Sequence, residues 1–84
     1  MYYVYVLKSI KNGKPYTGSS EDVENRLVEH NAGKTKSTRA SKPYKLVYKE
    51  SYNTRSEAVR RELFFKTGKG RELLKEILKN KEGS

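Results

Sequence analysis

Arg26 and His30 are four residues apart in a segment with helical periodicity, so their side chains should lie one above the other on one helix face. An imidazole exchanges protons near neutral pH, and a guanidinium stays charged and pairs well with phosphate. His30 also falls in line with Val23 and Leu27, the apolar stripe that should face a sheet. A lone histidine in such a place is often an ordinary residue at the edge of a core, and this alternative stays open.

Glu62 is the second residue with possible chemistry, because it points into the arc of a later helix that should be buried, formed by Ala58, Val59, Leu63 and Phe65. A carboxylate loses hydration there unless a cation, a metal or a polar cavity compensates. An ion pair with one of the many arginines is one solution. A metal site is the other, since Mg²⁺ often takes only one or two protein carboxylates and completes its shell with water and phosphate.

Two tyrosines can meet on one face of a hairpin. Asn12–Gly13 is a strong hairpin signal, and a two-residue turn there pairs Leu7 with Gly18. One face then carries Tyr5, Leu7, Tyr16 and Gly18, and the other carries Val4, Val6 and Thr17. Gly18 leaves room beside Tyr16 for a bulky group to approach, while plain packing is the alternative role of the two phenols.

The elements that must position these residues can be predicted in chain order. Tyr2–Leu7 is an unbroken apolar run that suits a central strand covered on both faces, and Tyr16–Ser20 is the returning strand. Ser19 or Ser20 can cap the first helix, which should run to about Asn31. Gly33 should end that helix.

The second half of the chain predicts one more strand and two helices. A polar loop from Gly33 to Lys42 precedes a half-buried strand in which Tyr44, Leu46 and Tyr48 alternate with Lys45, Val47 and Lys49. Thr54 and Glu57 form a capping box for the second helix, which Gly68 should end. A third helix, near Arg71 to Asn80, should bury Leu73, Leu74, Ile77 and Leu78. We expect a single α/β domain over residues 1–84: a small three-stranded antiparallel sheet flanked by helices, in the order β-β-α-β-α-α.

The charge of the chain points to a polyanionic partner. Nineteen Lys and Arg against ten Asp and Glu give a net charge of +9 on 84 residues, and phosphate contacts to such a surface release counterions. Six basic residues and no acid lie between Gly33 and Lys49, and Lys34, Lys36, Arg39 and Lys42 are the candidate nucleic-acid contacts. A solvated loop that repels itself is the alternative.

Several classes of site are excluded by composition. Cysteine is absent, so disulfides and thiolate zinc sites are impossible, and a single histidine excludes a multi-histidine metal cluster. The longest apolar run is too short for a membrane span or a signal peptide. We therefore expect a cytoplasmic protein without a membrane partner, and a monomer in isolation.

Tyr3-Val4-Tyr5 followed by Tyr16-Thr17-Gly18 resembles the paired signature of the GIY-YIG nuclease family. Arg26, His30 and a later helical Glu62 follow in the order that this family uses. The resemblance covers nearly the whole chain, and it is closest to the small stand-alone bacterial members. The chain departs from the pattern at Tyr3 and Val4, where the family has Gly and Ile, at Thr17, where it has Ile, and at Ser19, where some members carry lysine.

The resemblance implies a metal-dependent endonuclease that hydrolyses phosphodiesters, with DNA as the expected substrate and RNA as the alternative. Glu62 would hold one divalent ion, Mg²⁺ or Mn²⁺, and Arg26 would neutralise charge in the transition state. Tyr5 or Tyr16 would take the proton from water, helped by His30, and Gly18 would shape the site. The products would carry 5′-phosphate and 3′-hydroxyl ends.

Specificity should be low, because phosphate contacts carry no base information. Branched, nicked or single-stranded structures are the expected preference, and duplex cleavage would need two copies or two visits. Two alternatives stay open: a nucleic-acid-binding module without turnover, and a protein-interaction domain within a larger nuclease complex.

Overall fold

A computed structural model describes residues 1–82 as a three-stranded antiparallel sheet with strand order β2-β1-β3 and helices packed against it. The predicted α/β class and the order β-β-α-β-α-α are confirmed. The elements are β1 (Tyr2–Ser9), β2 (Pro15–Ser20), α1 (Val23–Asn31), a 3₁₀ turn (Arg39–Ser41), β3 (Tyr44–Tyr52), α2 (Arg55–Phe65) and α3 (Gly68–Glu82). Within this part of the chain, no helix is both long enough and apolar enough to cross a membrane.

Strand β1 is the centre of the fold, as its apolar run predicts. Val4, Tyr5, Val6 and Leu7 are all fully buried. Their alternation divides the core between the two sheet faces. One cluster joins Val4 and Val6 to residues of α2 and α3, namely Ala58, Phe65 and Leu74. The other joins Tyr5 and Leu7 to Val23 of α1 and Tyr44 of β3.

The hairpin has the predicted faces but a different register. Tyr5 lies opposite Gly18 and Leu7 opposite Tyr16, two residues away from the pairing expected for a two-residue turn. The chain begins to turn earlier because the Ser9 hydroxyl accepts hydrogen bonds from the Lys11 and Asn12 amides, each at 3.1 Å. A shift of two residues leaves every side chain on its predicted face.

Strand β3 does not keep the simple alternation that its sequence suggests. A bulge interrupts its pairing with β1, since Val6 lies opposite Tyr48 whereas Leu7 lies opposite Leu46. The extra residue turns the second half of the strand over. Leu46 therefore packs beside Leu7, and Tyr48 packs with the cluster of α2 and α3 on the opposite face.

Two predicted helix boundaries were wrong. The N-cap of α1 is Asp22, whose carboxylate accepts a hydrogen bond from the Asn25 amide at 3.0 Å. Ser19 and Ser20 belong to β2 instead. Helix α2 ends at Phe65, and Gly68 begins α3 rather than ending α2.

The buried faces of α2 and α3 also differ from prediction. Leu63 is 59% exposed and Leu73 is 39% exposed, although both were expected inside. Helix α2 turns Ala58 and Phe65 inward, and the same stripe carries Arg61 and Glu62. This orientation is possible because Arg61 Nε donates to Glu50 of β3 at 3.0 Å and its guanidinium stacks 4.5 Å from the Phe65 ring.

Candidate active site

Tyr5 and Gly18 lie side by side on neighbouring strands. They are direct partners in the β1–β2 register, and Tyr5 is fully buried. The phenol crosses β2 directly above Gly18, because a Cβ at that position would be 2.7 Å from Cζ of Tyr5. Glycine therefore leaves the space over the edge strand β2 that the buried Tyr5 hydroxyl occupies.

Both ring nitrogens of His30 have a hydrogen-bond partner. The Tyr5 Oη–His30 Nε2 distance is 3.3 Å, and His30 Nδ1 lies 2.8 Å from the Thr38 hydroxyl. With the Thr38 hydroxyl proton donated to the carbonyl oxygen of Thr35, at 3.3 Å, the hydroxyl oxygen accepts the proton of Nδ1. Nε2 is then the unprotonated nitrogen, and it accepts the hydrogen bond from Tyr5.

Tyr16 completes the aromatic group around the imidazole. Its ring centroid lies 4.8 Å from that of His30 and 6.5 Å from that of Tyr5. The side chain is half-buried, whereas His30 is fully buried. Tyr16 is thus the more accessible of the two phenols predicted to take part in catalysis.

Arg26 places a positive charge beside the cluster formed by Tyr5, Tyr16 and His30. Its Nη1 lies 3.5 Å from the Glu29 carboxylate, and hydrogen bonding to Tyr5 raises the pKa of the guanidinium. Arg26 also lines a cleft of about 460 Å³ with Tyr2, Ser19, Ser20, Glu21, Arg55 and Ala58. The cleft lies at the end of β2 that carries Ser19.

The protonation states of the buried pair follow from this environment. Burial raises the pKa of Tyr5, hydrogen bonding to Arg26 opposes the rise, and the Glu62 carboxylate adds to it. Burial lowers the pKa of His30, and the Arg26 guanidinium lowers it further against a smaller opposing effect of Glu29. Both groups are therefore neutral near pH 7.

Glu62 reaches the site from the other face of the sheet. One carboxylate oxygen accepts a hydrogen bond from the Ser19 hydroxyl at 2.6 Å, and the other contacts Lys66 Nζ at 2.8 Å. Ser19 directly follows Gly18, so Glu62 and the Tyr5 hydroxyl approach the β2 edge at adjacent residues. The ion-pair partner is Lys66, four residues further on at the C-cap of α2, and not an arginine.

The oxygen donors at this edge suit a hard cation. Among the residues described, no three His, Cys, Asp or Glu side chains come together as a metal-binding group. Glu62 and the Ser19 hydroxyl offer oxygen only, which fits an ion such as Mg²⁺ or Mn²⁺ that takes its other ligands from water and phosphate.

The basic loop between α1 and β3 contacts the imidazole of His30 through Thr38. Its four candidate contacts, Lys34, Lys36, Arg39 and Lys42, are all exposed. Thr38 in the same loop is 1% exposed and holds His30. Arg39 also has a structural contact, since its Nε donates to the Gly33 carbonyl at 2.9 Å.

Three contact residues were absent from the sequence-based site. Thr38 gave no signal, because nothing in a polar loop marks which hydroxyl will fold inward. Ser19 was singled out as a possible helix cap and as the residue after the second tyrosine motif, but not as a partner of Glu62. Lys66 could have been found from its spacing, since it follows Glu62 by four residues, at the C-cap of α2.

Similar proteins from several bacteria carry the same UPF0213 designation. A UPF0213 protein of Staphylococcus saprophyticus is 42% identical over 77 residues, covering 90% of this chain and 93% of the relative. A UPF0213 protein of Streptococcus agalactiae is 49% identical over 65 residues, covering 76% and 73%. The solution NMR structure of a UPF0213 protein from Bacillus halodurans shares 36% identity with a TM-score of 0.54, covering 92% of this chain and 85% of that one.

The family assignment rests on a match over most of the chain. The model of the GIY-YIG catalytic domain matches residues 1–75, a span that contains β1, β2, α1, β3 and α2. All the candidate catalytic residues and Glu62 lie within it. Nucleases of this type generally depend on a metal. The chain belongs to the GIY-YIG nuclease family.

Proposed function

We propose that this protein is a divalent-metal-dependent endonuclease that hydrolyses DNA phosphodiesters with little sequence preference. The 3.3 Å contact between the Tyr5 hydroxyl and His30 Nε2 is the observation that carries the proposal. Arg26 acts on both of these groups, and Glu62 approaches the same strand edge. In a protein that only bound nucleic acid, the Glu62 carboxylate would repel the bound phosphate and contribute nothing to affinity.

The proton path uses Tyr5 and His30 together. A water oxygen that attacks phosphorus must lose a proton, and the Tyr5 hydroxyl takes it while its own proton passes to His30 Nε2. Burial disfavours both the phenolate of Tyr5 and the imidazolium of His30. Neither ion therefore forms before the water attacks, and both proton transfers occur together with the attack on phosphorus. Thr38 holds the imidazole in the tautomer that can accept.

Charge stabilisation comes from Arg26, and a divalent ion held by Glu62 would add to it. The guanidinium faces the negative charge that develops on the phosphate oxygens. Glu62 would bind the divalent cation, which when bound supplies Lewis-acid stabilisation to the phosphate and the leaving oxygen. The bond from phosphorus to the 3′ oxygen breaks and the 3′ oxygen takes a proton from solvent water, which gives 5′-phosphate and 3′-hydroxyl ends.

Substrate choice in this proposal is governed by phosphate contacts. The exposed cations of the loop after α1, Lys34, Lys36 and Lys42, grip the nucleic-acid backbone without reading bases. One active site cuts one strand in each binding event.

Nicking of supercoiled plasmid tests the proposal, with Mg²⁺ or Mn²⁺ and with EDTA as the metal-free arm. Tyr5→Phe keeps the buried ring but removes the proton acceptor, so nicking should fall by about 100-fold or more. Tyr52→Phe is the matched control, because the Tyr52 hydroxyl donates to Glu50 on the other sheet face. Equal nicking per folded molecule by the two variants, or nicking that ignores EDTA, would overturn the proposal.

A further inference from the structure

Lys66 occupies the side of Glu62 that a metal ion would need. Its Nζ lies 2.8 Å from one Glu62 carboxylate oxygen, while the Ser19 hydroxyl holds the other oxygen. Both oxygens thus have partners before any ion binds. The two members of the pair differ in exposure, since the Lys66 side chain is 50% exposed and that of Glu62 only 18%.

A divalent ion and the Lys66 ammonium compete for this carboxylate. Two cations on one carboxylate repel each other at such short range. Lysine is the partner that can leave, because its flexible four-carbon stem can carry a half-exposed ammonium back into water. Glu62 has less freedom because it is mostly buried and fixed by Ser19.

A groove between β2 and α3 offers the released ammonium an alternative position. It measures about 530 Å³, and Lys66 is in its wall together with Arg71 and Lys75. The remaining lining is apolar or uncharged and includes no carboxylate: Pro15, Tyr16, Thr17, Phe65, Leu74 and Leu78. Three cations around such a groove complement a nucleic-acid strand, and Tyr16 joins the groove to the site.

We propose that Lys66 takes the place of the divalent cation in the free protein and that metal binding releases it to a nucleic-acid phosphate in this groove. The idea rests on the proposed function, because it assumes that Glu62 binds the ion. Its consequence is coupling: metal strengthens nucleic-acid binding, and by thermodynamic reciprocity nucleic acid strengthens metal binding by the same factor.

The first measurement is Mn²⁺ binding in the absence of nucleic acid. The electron paramagnetic resonance signal of the unbound ion reports how much Mn²⁺ remains free. Lys66→Met keeps the stem and removes the charge, so the variant should bind Mn²⁺ about two- to fivefold more tightly than the wild type. Lys69→Met, an exposed lysine three residues further on, should match the wild type. Thermal melting verifies that all three proteins are folded.

The second measurement is binding of a single-stranded oligonucleotide with and without Mn²⁺, in a Tyr5→Phe background that prevents cutting. Mn²⁺ should tighten binding in this background and in its combination with Lys69→Met. The gain should shrink at least twofold when Lys66→Met is added, because no ammonium is released.

Each outcome has a distinct meaning. Unchanged or weaker Mn²⁺ binding by Lys66→Met would overturn the competition, and an undiminished Mn²⁺ effect on the oligonucleotide would overturn the release. In both cases Mn²⁺ binding that depends on Glu62 leaves the proposed function standing. If Glu62→Gln alters Mn²⁺ binding in neither the wild type nor Lys66→Met, the metal site and this inference both fail.

Discussion

The Tyr5 hydroxyl lies directly over Gly18, such that a Cβ at position 18 would be 2.5 Å from that oxygen. This contact and the Ser19–Glu62 hydrogen bond bring candidate residues from the two sheet faces to adjacent positions of β2. Tyr5 belongs to the face covered by α1, yet its hydroxyl reaches the β2 edge, where Ser19 holds the Glu62 carboxylate of α2. Glycine at position 18 is therefore required for the observed position of the Tyr5 ring.

Gly18→Ala should displace the Tyr5 ring, because the new methyl group overlaps its hydroxyl and Cζ. We expect a loss of about 1–3 kcal/mol in the free energy of unfolding, measured in urea, together with reduced nicking. Gly68→Ala is the control, since a Cβ there meets nothing within 4 Å. Full stability and full nicking in Gly18→Ala would contradict the geometry.

Thr38→Val should leave the Nδ1 proton of His30 without an acceptor in a buried place. The expected cost is about 1–3 kcal/mol of stability, and nicking per folded molecule should fall because the tautomer is no longer fixed. Nitrogen NMR of the imidazole reports the tautomer directly. Thr35→Val is the matched control, since Thr35 contributes its backbone carbonyl. A wild-type spectrum with the proton on Nε2 would refute the proton path.

His30 should make the folded state sensitive to mild acid. Its folded pKa is lowered from 6.5 by burial and by Arg26, so below pH 6.5 the unfolded chain binds a proton that the folded chain resists. The stabilisation is complete above pH 6.5 and is lost as the pH falls through the folded pKa. His30→Gln should flatten this part of the curve of unfolding free energy against pH. Parallel curves for the two proteins would argue against a buried neutral imidazole.

Glu50 is the centre of a hydrogen-bonded cluster that lies away from the candidate site. Its carboxylate accepts hydrogen bonds from Tyr48, Tyr52 and Arg61, and burial with the Glu50 bonds raises the pKa of each of the two tyrosines to about 12. Burial acts to raise the pKa of Glu50, but these hydrogen bonds outweigh it and lower the value.

Glu50→Gln should therefore reduce stability by about 1–3 kcal/mol while nicking per folded molecule stays unchanged. The wild type should lose this contribution as the pH falls below 4.5 through the lowered folded pKa. Urea unfolding at neutral and acidic pH measures both effects. A loss of nicking beyond the loss of folded protein would mean that the Glu50 cluster serves the site.

The basic loop should supply part of the salt-dependent affinity for DNA. Reversal of Lys34, Lys36 and Lys42 to Glu should weaken binding to all sequences alike, and the log–log salt slope should become shallower by about 0.9 for each phosphate that is no longer neutralised. Arg39 is left intact because it bonds the Gly33 carbonyl. Reversal of three exposed cations on the other helices, Arg60, Lys69 and Lys79, is the charge-matched control. Equal effects of the two triple variants would indicate a general charge effect.

Local patterns were enough to predict the framework of the site. The apolar run of β1 identified the central strand, and the two-residue period placed Tyr5 and Gly18 on one face although the register was shifted. Thr54 caps α2 as its spacing with Glu57 predicts. Each of these features depends on neighbouring residues in the sequence.

The features that were predicted wrongly or missed depend on contacts between residues far apart in the sequence. Helix α2 turns Leu63 outward because Arg61 finds Glu50 on β3, and no pattern within the helix reveals such a partner. The bulge at Val47 depends in the same way on pairing with β1. Thr38 lies inside only because its loop folds back onto His30.

Plasmid nicking by Glu62→Gln tests the central claim most directly. Glutamine can keep the hydrogen bond from Ser19, and its former ion-pair partner Lys66 is half-exposed, so the change in stability should stay below about 1 kcal/mol. If Glu62 had instead been paired with a buried arginine, as one of the two sequence-based alternatives supposed, the same substitution would have lowered the free energy of unfolding by about 3–5 kcal/mol. We predict a folded protein that binds DNA as well as the wild type or better and has lost Mg²⁺-dependent nicking. Undiminished Mg²⁺-dependent nicking per folded molecule would contradict the assignment of Glu62 as the metal ligand.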